Sequence, residues 1–174
     1  MAPWIPLECR FGTEGDLAAA TLATLRPHFT VEREVEGVHC SGQRLRLDAV
    51  LRPVEAGPWR DTAPAIGVEF KNPARLGSTR DYTSWAAQCV DYTHANWNGY
   101  GRLTVFTCPP ITAYSPYADK LRLGFMQRLL GQMNVGELGL TIHGWTLQLN
   151  GEAIWSERKG LHRAWSLTPK VGSR

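Results

Sequence analysis

A chain of 174 residues, 43% hydrophobic and 20% charged, fits one soluble domain with a core of its own. Its formal net charge of +3 allows a polyanionic partner without requiring one. No stretch approaches the ~20 apolar residues of a membrane span, and the N-terminus lacks the basic and apolar regions of a secretory signal. We therefore expect a cytoplasmic protein with no membrane contact.

The cysteines and histidines argue against a zinc or iron–sulfur centre. The four cysteines are scattered and form no CxxC pair: Cys9, Cys40, Cys89 and Cys108. The histidines also lack the spacing of metal ligands: His28, His39, His94, His143 and His162. We interpret them as structural residues, and the cysteines as free thiols of a reducing compartment.

The chain opens with a predicted helix. Thr13 can cap it while Asp16 reaches back, as in a capping box, and apolar residues recur at helical spacing as far as Phe29. Residues 30–35 then predict a first strand, and Gly37 and Ser41-Gly42 predict a turn after it.

Two further strands carry charged residues on one face each. Residues 43–51 alternate, which predicts one apolar face (Leu45, Leu47, Ala49, Leu51) and one polar face (Arg44, Arg46, Asp48). Residues 65–71 predict a third strand. Glu69 and Lys71 lie two apart on it, so both side chains leave the same face.

A second helix and a fourth strand complete the first part of the chain. Residues 79–95 predict the helix, capped by Ser78 or Thr79, and residues 103–107 predict the strand. The order is thus helix, three strands, helix, strand, over a core of about residues 13–107.

The extension, about residues 108–174, is predicted to contain a helix and a β-hairpin within the same single domain, 1–174. The helix spans 117–133, with an apolar stripe of Leu121, Phe125, Leu129 and Leu130. A strand over 138–149 with a bulge at Gly144 follows. Residues 153–157 and 163–167 form the hairpin.

Asp48, Glu69 and Lys71 are the candidate catalytic centre. A hairpin between the second and third strands would bring the polar face of Asp48 beside Glu69. Two carboxylates suit Mg²⁺ or Mn²⁺, which keep several waters and accept phosphate oxygens. Such a metal lowers the pKa of a bound water, and a lysine can orient that water or offset charge in the transition state.

The tripeptide Glu-x-Lys is weak evidence on its own. It occurs a second time at Glu157-Arg-Lys159, in a predicted turn with no carboxylate-bearing strand before it. The context of Glu69 therefore carries the argument: Asp48 on the strand before it, and a capped helix after it.

With these motifs the chain resembles the PD-(D/E)XK nuclease superfamily. Arg46-Leu-Asp48-Ala matches the first acidic motif and Val68-Glu69-Phe-Lys71 the second. Gln88-Cys-Val-Asp-Tyr92 resembles the QxxxY motif of the RecB-like and lambda-exonuclease-like branch. The resemblance covers about the first 60% of the chain, with Leu47 in place of the proline that names the family.

The resemblance implies an α/β fold with a restriction-endonuclease-like αβββαβ core, in which a mixed central sheet is flanked by helices. It implies that Asp48, Glu69 and the carbonyl of Phe70 ligate the metal, and that Lys71 activates water. Gln88 and Tyr92 would support the site, and Glu14 would bind a second metal or its water. Two alternatives remain: Glu14 also complements a helix dipole, and Tyr92 also suits the core.

DNA is the expected substrate and partner, and a homo-oligomer is possible. Five basic residues are candidate phosphate contacts: Arg75, Arg80, Arg158, Lys159 and Arg163. The resemblance to the RecB-like and lambda-exonuclease-like branch favours an end-processing exonuclease of phage, mobile-element or repair type. The alternatives are a structure- or sequence-specific endonuclease, and a catalytically silent DNA-binding or assembly protein that keeps the core.

Overall fold

The computed structural model describes residues 4–7, 11–61, 63–72, 78–114 and 119–162, and the protein is a mixed α/β fold. The three helices in these residues are α1 (Glu14–Leu25), α2 (Thr79–Thr93) and α3 (Lys120–Gln132). The strands are β1 (Phe29–His39), β2 (Arg44–Pro53), β3 (Ile66–Phe70), β4 (Ala95–Trp97), β5 (Val105–Cys108), β6 (Val135–Thr141), β7 (Gly144–Leu149), β8 (Glu152–Ser156) and β9 (Gly160–Leu161).

All nine described strands belong to one sheet, in the order β4-β1-β2-β3-β5-β6-β7-β8-β9. Strand β5 lies parallel to both β3 and β6, and the other pairs are antiparallel. The carboxyl ends of β3, β5 and β6 therefore meet at one edge, which we call the β3–β5–β6 edge. A short 3₁₀ helix (Ile111–Tyr114) follows β5 there.

The helices cover both faces of the sheet. Thr13 caps α1 and bonds the Asp16 side chain at 2.7 Å, so the predicted capping box is confirmed. Helix α1 packs in the larger core cluster, with Val68 and Phe106. Helices α2 and α3 share a second cluster with Val135, whose side chain leaves the opposite face.

The hairpin of β1 and β2 changes face at Asp48. Ala49 and Leu51 pack in the α1 cluster, whereas Leu47 packs with Tyr92, so the single apolar face predicted for residues 43–51 is wrong. The ladder pairs Arg33 with Ala49 and Val35 with Leu47, but it does not pair the residues between them. One of these, Glu34, has φ +55°, and this distortion reverses the alternation.

Of the two turn positions predicted after the first strand, Ser41-Gly42 is confirmed, because the Gly42 N–H donates to the His39 carbonyl at 2.8 Å. Gly37 lies within β1, so the turn predicted there is wrong. It pairs with Leu45 on one side and with Trp97 on the other. A Cβ at this position would approach Trp97 Cε3 to 2.5 Å. The glycine permits the short strand β4, which the sequence did not predict, to lie against β1.

Residues 138–149 form a hairpin and not the predicted bulged strand. Strand β6 ends at Thr141, and Gly144, with φ +81°, begins β7. The register irregularity lies between Leu147 and Gln148, where β7 meets β8. A hairpin follows β7 as predicted, but its second strand is β9, in which Gly160 pairs with Ser156, and it begins earlier than residue 163. Residues 163–167 lie outside the described residues.

The apolar stripe predicted on the third helix is divided. Leu130 is buried against the sheet, whereas Leu121, Phe125 and Leu129 face outward. None of the described helices has the length and apolarity needed to cross a bilayer.

Replacing Gly37 tests the β1–β4 contact. Gly37→Ala should lower the free energy of unfolding by roughly 1–3 kcal/mol, because the added methyl overlaps the Trp97 ring. Urea denaturation measures the change. Gly57→Ala is the control, because its Cβ would meet nothing within 4 Å. Equal stability of the two variants would contradict the packing described.

Candidate active site

The carboxylate of Asp48 lies at the end of the β2–β3 ladder. The last pair of that ladder is Ala49 with Val68, so Asp48 and Glu69 are the next residues on the two strands. Asp48 Oδ2 accepts the backbone N–H of Phe70 at 2.8 Å. The side chain thus takes the place of a ladder carbonyl and is held beside β3.

Glu69 is a buried carboxyl, with 5% of its surface exposed. Burial is the main cause that raises its pKa to about 9, Asp48 adds to the rise, and the Lys71 ammonium opposes it. Asp48 is within hydrogen-bonding reach, so the proton that the raised pKa keeps on Glu69 can be shared with Asp48. Oε2 of Glu69 is buried, and no other group among the described residues donates a hydrogen bond to it.

Gln88 connects helix α2 to this carboxyl. Its Nε2 donates to Glu69 Oε1 at 2.9 Å and to the Tyr92 hydroxyl at 2.8 Å. An amide nitrogen has two hydrogens, so both are used. Tyr92 also packs edge-on against Trp97, with ring centroids 5.4 Å apart. Tyr92 therefore combines the site contact and the core role that the sequence left open.

Glu14 and Lys71 complete the group at the end of β3. Glu14 is the first residue of α1, and its Oε2 accepts the backbone N–H of Asn72 at 3.0 Å. Its charge contributes to the raised pKa of Glu69. Lys71 follows β3 directly, and its N–H donates to the Cys108 carbonyl at 2.8 Å. All six side chains singled out in the sequence thus lie around one point of the sheet.

Thr107 is a site residue that sequence reasoning missed. It pairs with Glu69 across β3 and β5, and its hydroxyl is buried without a partner. Paired residues of neighbouring strands leave the same face of a sheet about 4.8 Å apart, so Thr107 and Glu69 share a face, although their side chains form no hydrogen bond with each other. The polar Thr107 between Phe106 and Cys108 was the available signal.

A second buried carboxyl lies further along the same row. Thr107 pairs with Glu137 on β6, whose carboxylate accepts the Thr112 N–H at 2.7 Å and the Gln127 Nε2 at 2.8 Å. Burial raises the pKa of Glu137, and these hydrogen bonds oppose the rise. The arrangement joins α3 and the 3₁₀ helix to the sheet, so its role is structural.

A cleft of about 380 Å³ adjoins the site. It lies between α2 and the turn of the β1–β2 hairpin, with Gln88 and Tyr92 on one side and His39 and Gln43 on the other. The cleft gives solvent a route toward the amide that holds Glu69.

The basic candidates are distributed over the chain. Arg80 is exposed in the first turn of α2. Arg158 and Lys159 lie in the β8–β9 turn, where Arg158 donates to the Ile142 carbonyl at 3.0 Å. Ile142 follows β6, so this turn lies at the β3–β5–β6 edge. Arg75 and Arg163 fall outside the described residues.

The donor set fits a hard cation in part. Within the described ranges, no group of three or more His, Cys, Asp or Glu side chains is placed to hold a metal. Two carboxylates with a backbone carbonyl and waters are nevertheless sufficient for Mg²⁺. Asp48 disfavours a negative charge on Glu69, and Glu69 Oε2 lacks a donor, so a cation bound between the two carboxyls would stabilise their ionised forms.

The chain matches no protein-family model, no curated protein and no solved structure with which it was compared. Inferences about its function therefore depend on its own residues.

Glu69 should make the stability of the metal-free protein depend on pH. The folded chain holds a proton up to about pH 9 that the unfolded chain releases near 4.5, so stability is full below 4.5 and falls as pH rises. In EDTA, Glu69→Gln should remove roughly 2–4 kcal/mol of this decline between pH 5 and 9. Urea denaturation at several pH values measures it.

The exposed Glu55 provides the control for that experiment. Glu55→Gln should follow the wild-type curve at every pH. If the wild type and Glu69→Gln show the same slope, Glu69 is not buried beside a second carboxylate.

Proposed function

We propose that this protein is a metal-dependent DNA nuclease, with Asp48, Glu69 and Lys71 at its catalytic centre. The observation that carries the proposal is the carboxyl pair at the end of β3, in which Glu69 is buried and Asp48 half-buried. Lys71 lies near the pair, and Gln88 donates a hydrogen bond to Glu69. Strongly perturbed carboxyls in such a setting are typical of functional sites.

Mg²⁺ or Mn²⁺ would be held by Asp48, Glu69 and the carbonyl of Phe70. The N–H and C=O of a strand residue point the same way, and the Phe70 N–H is directed to Asp48, which supports the carbonyl as a third ligand. When bound, the metal would supply an acidified water and offset charge on the phosphoryl group.

The other residues act on the water and on the carboxylates. Lys71 would orient the attacking water by hydrogen bonding and offset the negative charge of the transition state. Gln88 fixes the Glu69 carboxylate through Oε1 and leaves Oε2 available. Glu14, held by the Asn72 N–H, retains a second oxygen for water or a second metal.

The β3–β5–β6 edge offers a path for the phosphate backbone of DNA. Arg158 and Lys159 follow β8, four strands away from β3 in the sheet, which corresponds to roughly 19 Å at 4.8 Å a strand. Arg80 stands in the first turn of α2. We assign these cations to positioning contacts that carry no sequence information.

The order of elements supports the finer fold proposal, a restriction-endonuclease-like core. The order from α1 to β5 is helix, three strands, helix, strand, with β4 as an addition to the edge beside β1. Gln88 and Tyr92 on α2 support the RecB-like and lambda-exonuclease-like branch, and with it an exonuclease.

Removing the Lys71 ammonium should abolish cleavage. Lys71→Ala is expected to lower kcat at least 100-fold on DNA with Mg²⁺, while folding and metal binding persist. Lys159→Ala is the matched control from the second Glu-x-Lys tripeptide: because Lys159 is assigned to positioning DNA, its loss should raise KM and leave kcat unchanged. Linear, supercoiled and single-stranded DNA are the substrates, followed by gel electrophoresis.

The products distinguish the alternatives. Progressive loss from ends indicates the exonuclease, whereas discrete bands or nicked junctions indicate an endonuclease. Retarded but intact DNA under every metal condition would indicate the silent DNA-binding protein. Full activity of Lys71→Ala would refute the mechanism.

The metal site itself is testable without activity. Mn²⁺ or Mg²⁺ at 100 times its Kd should stabilise the wild type by about 2.7 kcal/mol over EDTA, because a cation relieves the carboxylate repulsion. Asp48→Asn and Glu69→Gln should each remove most of this gain in thermal denaturation. Asp119→Asn, at the exposed cap of α3, should retain it. An equal gain in all four proteins would place the metal elsewhere.

A further inference from the structure

The outward face of helix α3 carries an apolar stripe. The stripe consists of Leu121, Phe125 and Leu129, which are 83%, 58% and 47% exposed. Residues four apart lie on one side of a helix. Single exposed apolar side chains are ordinary, but a contiguous row on one helix marks a contact surface.

The opposite side of α3 is already occupied. Gln127 and Leu130 are buried against the sheet, and Gln127 donates to Glu137. The helix therefore cannot rotate to bury the stripe without breaking that bond. The stripe is therefore fixed on the outward side of the helix.

The charge of α3 restricts the partner. The helix contains Lys120, Arg122 and Arg128 and no acidic residue. The cap Asp119 offsets one charge, through a 3.8 Å contact with Arg122. A helix with this balance favours a partner whose apolar side chains are flanked by carboxylates.

The same charges disfavour two other occupants. In a two-fold dimer through α3, the cations of one helix would face those of the other. Residues 163–174 of this chain contain Arg163, Lys170 and Arg174 and no acidic residue. Neither surface complements the stripe.

The N-terminal end of α3 lies toward the sheet edge that carries Asp48 and Glu69. Gly131 lies close to Asn150 in the β7–β8 turn, and two residues separate the end of α3 from the start of β6. The helix therefore runs antiparallel to β6, and Leu121 lies toward the β3–β5–β6 edge. A partner bound along α3 would extend to the edge where the carboxylate pair lies.

We infer that the stripe of Leu121, Phe125 and Leu129 is a docking site for an acidic amphipathic helix of another protein. The partner would insert its apolar face between these side chains, in the helix-in-groove manner. Its carboxylates would meet the cations of α3.

A designed peptide provides the probe. It is an 18-residue helical peptide with leucines at i, i+4, i+8 and i+11, flanked by glutamates and labelled with fluorescein. Fluorescence anisotropy with the full chain should show saturable binding that weakens between 50 and 500 mM NaCl. A peptide with lysine in place of every glutamate should bind at least tenfold more weakly.

Two variants locate the contact. Phe125→Ser should weaken binding about tenfold or more, since a central aromatic side chain dominates such interfaces. Val54→Ser is the matched control, because Val54 is also 58% exposed but lies in the loop after β2. It should bind as the wild type does. Circular dichroism checks that both variants fold.

Several results would overturn the inference. One is equal binding of the acidic and basic peptides, or equal loss in both variants. Another is self-association in analytical ultracentrifugation that Phe125→Ser abolishes, which would identify a second copy as the occupant. Peptide binding that requires removal of residues 163–174 would identify the chain's own end. Binding to anionic phosphatidylglycerol vesicles without peptide binding would identify a lipid surface.

Discussion

The buried carboxyl of Glu69 is held beside the half-buried carboxyl of Asp48, and the strand pairing around them is arranged to permit it. The β2–β3 ladder stops one residue before Asp48 and Glu69. Full pairing would have placed backbone carbonyls where the Asp48 side chain now accepts the Phe70 N–H. The distortion at Glu34 on β1 accompanies this interruption, as strained backbone often does at functional sites.

Burying such a pair costs free energy, and other contacts offset that cost. Each of the helices α2 and α3 is joined to the sheet by one glutamine that donates to one buried glutamate: Gln88 to Glu69, and Gln127 to Glu137. Glu137 has donors for both of its oxygens, so it is a finished structural contact. Glu69 has a donor for only one, and this difference separates the candidate active site from the scaffold.

The sequence predicted what depends on local pattern, and it failed where distant residues decide. Thr13 and Ser78 cap α1 and α2 through interactions three residues away, so both helix starts could be predicted. Gly37 is in a strand because Trp97, sixty residues later, packs on it. The partnership of Thr107 with Glu69 likewise arises from the parallel pairing of β3 with β5, which no local pattern encodes.

The two Glu-x-Lys tripeptides show why context determines chemistry. Glu157 lies after β8 and accepts the Trp145 N–H at 3.1 Å, while Lys159 is exposed in the same turn. That carboxylate supports a hairpin. Glu69 stands at the end of a strand buried on both faces, opposite a second acid and under a helix. Identical residue types thus differ in function because the sheet gives one pair a low-dielectric setting and a facing carboxylate, in which a cation and a lysine have strong effects.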